Sequence, residues 1–433
     1  MWLEDDREKS VDIGSGSWIA DVAAAEGTDR IDFDALRAER IARARDILRE
    51  EGLSAFLCFE AANIRYLTGL PPEPWNERDR ARCVLLTAGE GPFILESGPP
   101  SAAPPSLRPG QDAAGLPGNH PERARALELR PDEFLWIPAD SGRDPFAPLL
   151  RAGIGLHRKL RHPEPGGRLG LDRLDAAAGA GPAAGQRDPA VDIFVDARPL
   201  LLRARSLKDM EELECLRFVT DIVDIVFQMT RAEWLRPEAT ERDIAARCRE
   251  FLISSGFESV EDVMCAAGAN SLLPRALPTD HAVREGELVI LGIRATGPGG
   301  YRVRAQRTFK CGGNVRPEEN ALYRRCHQAM RLVMANCRPG RNALTLLDVL
   351  GEDESLPRPA GHALGLDWDE GCGLGSDERP VEAWEECLSE SLYLTLRVHA
   401  REGDVAVGLE ENFLVSAQGP VYFTCFPLEK DLL

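Results

Sequence analysis

The chain is constrained most by residues 287–309, ELVILGIRATGPGGYRVRAQRTF. The run from Leu288 to Ile293 is apolar except for Gly292 and reads as a strand buried on both faces. Gly297, Pro298, Gly299 and Gly300 then force a turn, because this density of glycine and proline cannot continue a strand. Any fold for this chain has to accommodate a buried strand that enters a glycine-rich turn, with the charged stretch YRVRAQRTF directly after it.

Around this piece helices and strands alternate, the pattern of an α/β layer. A helix is expected from Asp32, with Leu36, Ile41, Ile47 and Leu48 on its apolar face and Gly52 as its stop. A buried strand at residues 54–59 and a short helix then lead into NIRYLTG at 63–69. Further strands are expected at 83–87, 92–96, 133–137 and 191–195, with Pro/Gly-rich loops such as 98–118 and an Ala/Gly helix at 174–185. ARPLLLRARS at 197–206 reads as a domain boundary. A helix follows it, capped by Ser206 with Asp209 in the capping-box place and running to about Trp234. A second capped helix starts at Thr240 with Asp243 and stops at Gly256. Strands at 261–266 and 288–293, a helix at 317–337 and strands near 392–398 and 405–415 complete a helix-strand-strand pattern seen twice. The expected organisation is an N-terminal extension at 1–30, an α/β domain at 31–197 and a second domain at 198–433.

Composition bounds the function classes. A net charge of -19 argues against a nucleic-acid partner, since an acidic surface repels the phosphate backbone. No apolar run is long enough to span a bilayer, and the start MWLEDDREKS is acidic where a signal peptide is basic, so a cytoplasmic location is expected. The eleven cysteines show no Cys-x-x-Cys or zinc-finger spacing and read as reduced, mostly buried thiols. Cys265 and Cys372 are the two to test for reactivity.

Residues 287–309, together with GHALGLDWDE at 361–370 and VGLEENFLVS at 407–416, resemble the metal-site strands of the pita-bread hydrolases, the family of aminopeptidase P, prolidase, methionine aminopeptidase and creatinase. The helix, strand and NIRYLTG run resembles the N-terminal domain of the creatinase and prolidase members. The resemblance implies an α/β (α+β) chain, with a creatinase-like N-terminal domain followed by a pita-bread domain. It also implies a homodimer in which the N-terminal domain reaches the partner's site, with Arg80 or Arg82 as candidates for that reach.

Members of this family hold two divalent ions with Asp, Asp, His, Glu and Glu. On this chain the resemblance lays those positions on Gly292, Arg304, His362, Arg397 and Glu410, so two of five ligands are kept. Two protein ligands fall short of the three that a catalytic zinc normally has, and a guanidinium has no lone pair to offer. The expectation is therefore no metal and no other cofactor. Arg304, Arg397 and Arg275, joined by Arg294 and Tyr301, would form a binding pocket for a small anionic substrate. His362, Glu410 and Asp369 would move protons. The corresponding function is a metal-independent, creatinase-like enzyme that cleaves a C–N bond or carries out related proton transfer. Two alternatives stand beside it: a catalytically inactive pseudo-peptidase used as a binding or scaffold protein, and a metal-dependent Xaa-Pro peptidase with a site rebuilt from Asp367, Asp369 and Glu370. An open pocket faced by the arginines favours the enzyme, whereas closure by Arg–Glu pairs favours the binding protein.

Overall fold

The computed structural model describes residues 31–71, 81–98, 134–138, 146–160, 167–173, 194–374, 387–429 and 432–433. The expected extension at 1–30, the Ala/Gly helix at 174–185, most of the loop at 98–118 and Arg80 lie outside the described residues. The chain divides into two compact units, Phe33–Arg205 and Ser206–Leu433.

The first unit runs α1 (Phe33–Glu50), β1 (Leu53–Cys58), α2 (Ala61–Thr68), β2 (Ala81–Thr87), β3 (Phe93–Gly98), β4 (Phe134–Pro138), α3 (Phe146–Lys159), β5 (Arg168–Leu171), β6 (Phe194–Asp196) and α4 (Arg198–Ser206). Its sheet has the order β4-β3-β2-β1-β5-β6. Every residue of β2 is buried, which is why ARCVLLT carries no face-to-face alternation. Leu149 and Leu150 of α3 pack with Leu57, Leu85, Leu95 and Leu169 in one core. The NIRYLTG run forms most of α2 and its cap. Gly69 stops the helix in the left-handed conformation at φ 74°, where a side chain would be strained. Tyr66 is buried and donates its hydroxyl to Ala204 O at 3.0 Å. Arg82 is buried in an ion pair with Glu96 and is not a surface charge.

The second unit contains α5 (Met210–Met229), a π-helical turn at Thr230–Trp234, α6 (Glu241–Ser254), β7 (Ser259–Ala267), β8 (Leu288–Thr296), β9 (Arg302–Lys310), α7 (Pro317–Asn336), β10 (Ala360–Ala363), β11 (Gly373–Leu374), β12 (Tyr393–Glu402), β13 (Val405–Leu414) and β14 (Val421–Tyr422). The helix after the boundary starts three residues later than expected. Asp209 is the N-cap and Glu212 closes the capping box, because Ser206 is the last residue of α4. The Thr240–Asp243 box stands where the sequence puts it. The sheet order is β11-β10-β12-β13-β9-β8-β7, with β14 beside β13. Leu322, Cys326, Met330 and Val333 of α7 pack against Leu394, Leu396, Val407 and Leu409, burying one face of the sheet. Side chains alternate along each strand, so the neighbouring residues on β12 and β13 point to the opposite face. That opposite face carries the candidate site.

All eleven cysteines are free, and nine, Cys265 and Cys372 among them, are buried. Burial pushes the Cys265 thiol well above its usual range, which removes it as a reactive candidate.

Candidate functional site

Strand register brings residues from five strands into one row: Gly292 opposes Gln306, Gln306 opposes Glu410, Glu410 opposes Arg397, and Arg397 opposes Ala360. The next row pairs Arg294 with Arg304 and Thr395 with His362. Four of the expected site residues, Arg304, Arg397, His362 and Glu410, are thus gathered from four strands onto one face, with Arg294 at its side.

Arg304 is the hub. Its Nε lies 3.0 Å from Glu410 Oε1 and its Nη1 3.0 Å from His362 Nε2. A guanidinium has only donors, so Nε2 of His362 is the acceptor and the ring proton sits on Nδ1. Burial lowers the His362 pKa to about 4, helped by the charges of Arg304 and Arg294 and opposed by Glu410. The imidazole is neutral at neutral pH. Glu410 is buried and also accepts from Thr395 Oγ1 at 3.3 Å.

Arg397 turns to the rim of this face. Its Nη2 donates to Pro274 O at 2.6 Å and its Nε to Gln306 Oε1 at 3.5 Å. It therefore ties down the loop that carries Arg275, whose own side chain is exposed. That loop is also held at its base by buried Glu241, which accepts from Ala267 N, Asn270 Nδ2, Thr279 N and Thr279 Oγ1. Arg294 stacks on Trp368 at 4.4 Å, and Arg302 lies 4.8 Å from the same ring while pairing with Asp367 at 3.2 Å. One indole shared by two guanidinium groups lets like charges occupy a small space.

Two expected site residues stand apart. Tyr301 is fully buried and donates to Glu212 Oε1 at 2.6 Å, on the opposite side of the strand from Arg302 and Arg304. Asp369 is exposed in the loop after β10, where it accepts from Gly371 N at 3.0 Å. Glu370 is fully buried and caps its loop. It pairs with Lys208 Nζ at 2.5 Å and accepts from Leu366 N and Asp367 N, which pins the loop following His362.

Gln306 is the site residue that sequence reasoning missed. Its amide covers the sheet floor between two glycines. A Cβ at Gly292 would lie 3.1 Å from its Nε2, and one at Gly408 would lie 2.5 Å from its Oε1. The signal lay in the register, which sets residues about a hundred positions apart side by side. Arg307 braces the site from behind, donating to Gln306 O and Glu410 O, both at 3.0 Å, and pairing with Glu411.

The metal implied by the fold does not fit these residues. His362 Nε2 and Glu410 Oε1, from the two ligand positions that are kept, both face the one guanidinium of Arg304. Among the described residues no group of three or more His, Cys, Asp or Glu is placed to hold a metal ion. Asp367, Asp369 and Glu370 do not rebuild the missing set. Among the described residues, a cavity of about 490 Å³ is lined by Trp234, Arg236, Asp243 and Arg247 and shares none of the site residues.

This fold and site define a two-domain pita-bread protein with a creatinase-like N-terminal domain. The metallopeptidase family M24 model matches residues 214–417 and the creatinase/prolidase N-terminal domain model matches residues 40–101. The chain belongs to the M24 family, a family of peptidases and therefore of hydrolases. It is 26% identical over 401 residues to "Probable dipeptidase PepE" of Mycobacterium tuberculosis, covering 89% of this chain and 95% of that protein. Dipeptidase PepE from Mycobacterium ulcerans superposes with a TM-score of 0.65 at 20% identity, covering 92% of this chain and 98% of that one. The Xaa-Pro dipeptidase from Bacillus anthracis does so with a TM-score of 0.63 at 17% identity, covering 91% and 99%. Both likenesses show the shared fold.

These relatives correct the expected function. They are named dipeptidases and Xaa-Pro dipeptidases of a metallopeptidase family, which overturns the metal-independent, creatinase-like enzyme acting on a small anionic substrate. The geometry agrees on the substrate. Arg304 is spent on Glu410 and His362, and Arg397 on Pro274 and Gln306, so these guanidinium groups do not form an open anion pocket. No helix among the described residues is long and apolar enough to cross a membrane.

Proposed function

We propose that this chain is a non-catalytic, short-peptide-binding member of the M24 family, with a dipeptide-class ligand lying on the face bounded by Trp368, Arg294 and the Pro274 loop. The ligand class rests on the names of the relatives, dipeptidases and Xaa-Pro dipeptidases. The observation that carries the reading is the Arg304–Glu410 ion pair, which closes the place where the family fold holds its ions. A homodimer in the cytoplasm belongs to the same reading.

The test is calorimetric titration of the full chain with a panel of dipeptides, Xaa-Pro members included, beside a hydrolysis assay with added manganese or cobalt. Saturable binding without turnover is expected, and light scattering should report a dimer. Metal-dependent dipeptide hydrolysis is the second reading, favoured by the naming of the relatives and by the survival of His362 and Glu410. Turnover that needs added metal and disappears in Glu410→Gln would establish it and end the first reading.

A further inference from the structure

The disagreement between family and site reaches further than the three lost ligands. We propose that Arg304 and Gln306 act together as a built-in plug, in which Arg304 supplies the positive charge and Gln306 fills the floor, so that the site excludes divalent cations. The inference concerns the chain's own residues and stands whether or not a peptide binds.

Three observations support it independently. First, Arg304 lies 3.0 Å from His362 Nε2 and 3.0 Å from Glu410 Oε1, so an ion approaching either atom has to share the site with a guanidinium that does not deprotonate. Second, the position of the first family Asp is filled without a side chain of its own. The Gln306 amide occupies the hollow left by Gly292 and Gly408, and a carboxylate at 292 would require Gln306 to move. Third, Gln306 is itself held, by Arg397 at 3.5 Å and by Met264 Sδ at 3.6 Å, and Arg397 is anchored by Pro274 O. The floor and the charge therefore belong to one connected set. Replacing Arg304 alone would free two donors, fewer than the three of a catalytic zinc site.

The experiment compares metal binding by calorimetry, with elemental analysis after dialysis, across the full-length wild type and a small series of variants. Manganese and cobalt chlorides are the probes. The wild type should bind neither ion at this site. Gly292→Asp with Arg304→Asp and Arg397→Glu should bind weakly, and adding Gln306→Ala to those three should tighten binding by about tenfold or more, the size of effect that groups just outside the ligands have on metal affinity. Should the multiple variants fail to fold, Arg304→Gln keeps the shape of the site while removing its charge. Weak cobalt binding by Arg304→Gln that is lost in Arg304→Gln/His362→Ala supports the plug, and cobalt affinity of the wild type equal to that of Arg304→Gln counts against it. Near-stoichiometric metal on the wild type that is lost in His362→Ala overturns the proposal. Equal affinity with and without Gln306→Ala removes Gln306 from it. Because no peptide enters these titrations, their failure is distinct from failure of the short-peptide reading.

Discussion

Arg304 Nε lies 3.0 Å from Glu410 Oε1, with both side chains largely withdrawn from water. Breaking such a pair leaves one charge buried without its partner, a change that typically costs about 3–5 kcal/mol. Arg304→Met should therefore lower the unfolding free energy by roughly 3 kcal/mol. Arg304→Met/Glu410→Leu should recover much of that loss, and urea denaturation of the single and double variants measures both.

His362 sets a pH dependence whose sign follows from its environment. Its folded pKa of about 4 lies below the ordinary imidazole value of 6.5, so the unfolded chain takes up the proton first. The stability it contributes is full above about pH 6.5 and is lost as the pH falls toward about 4, amounting to about 3 kcal/mol at the low end. His399, also lowered to about 4 by burial first and then by Arg397 and Arg401, adds a parallel loss. Stability measured from pH 7 to pH 4 should fall less steeply in His362→Gln than in the wild type.

Lys208 and Glu370 form a second buried pair, and Glu370 also fixes the backbone of Leu366 and Asp367. Lys208→Met should cost about 3 kcal/mol, since it strands a buried carboxylate. Hydrogen exchange should then show faster opening in the loop at 364–371 than in α6.

Thr240 caps α6 by accepting from Asp243 N at 3.0 Å. Thr240→Ala should cost about 1 kcal/mol. Thermal unfolding of the variant checks this value against the larger losses at the buried pairs.

Much of the fold was legible because its signals are local. The apolar run Leu288–Ile293 and the glycine turn after it mark a hairpin, observed as β8 and β9. The Thr240–Asp243 box marks a helix start within four residues. ARPLLLRARS was harder, because a short helix after the β6 strand has no cap residue that distinguishes it from a linker, and Ser206 closes α4 where it could have opened α5. The site was legible only in its residue types. The motif spacing placed Arg304, His362, Arg397 and Glu410 in register with family positions, but which of them would meet depended on pairing across β8, β9, β13, β12 and β10. Gln306 gave no sign of its role, since its importance comes from the missing side chains of Gly292 and Gly408 on neighbouring strands. Arg397 shares a row with Glu410, yet its reach to Pro274 O was set by a loop more than a hundred residues away.

The central claim, that a guanidinium stands where the family fold places its ions, is tested most directly at the imidazole it touches. Nitrogen-15 NMR of the His362 ring in the full chain, recorded while manganese is added, reads any ion that reaches Nε2. The account predicts a neutral ring protonated on Nδ1, whose resonances keep their position and width through the titration. Broadening of the His362 signals at stoichiometric manganese, with Arg304→Gln behaving no differently from the wild type, would contradict it.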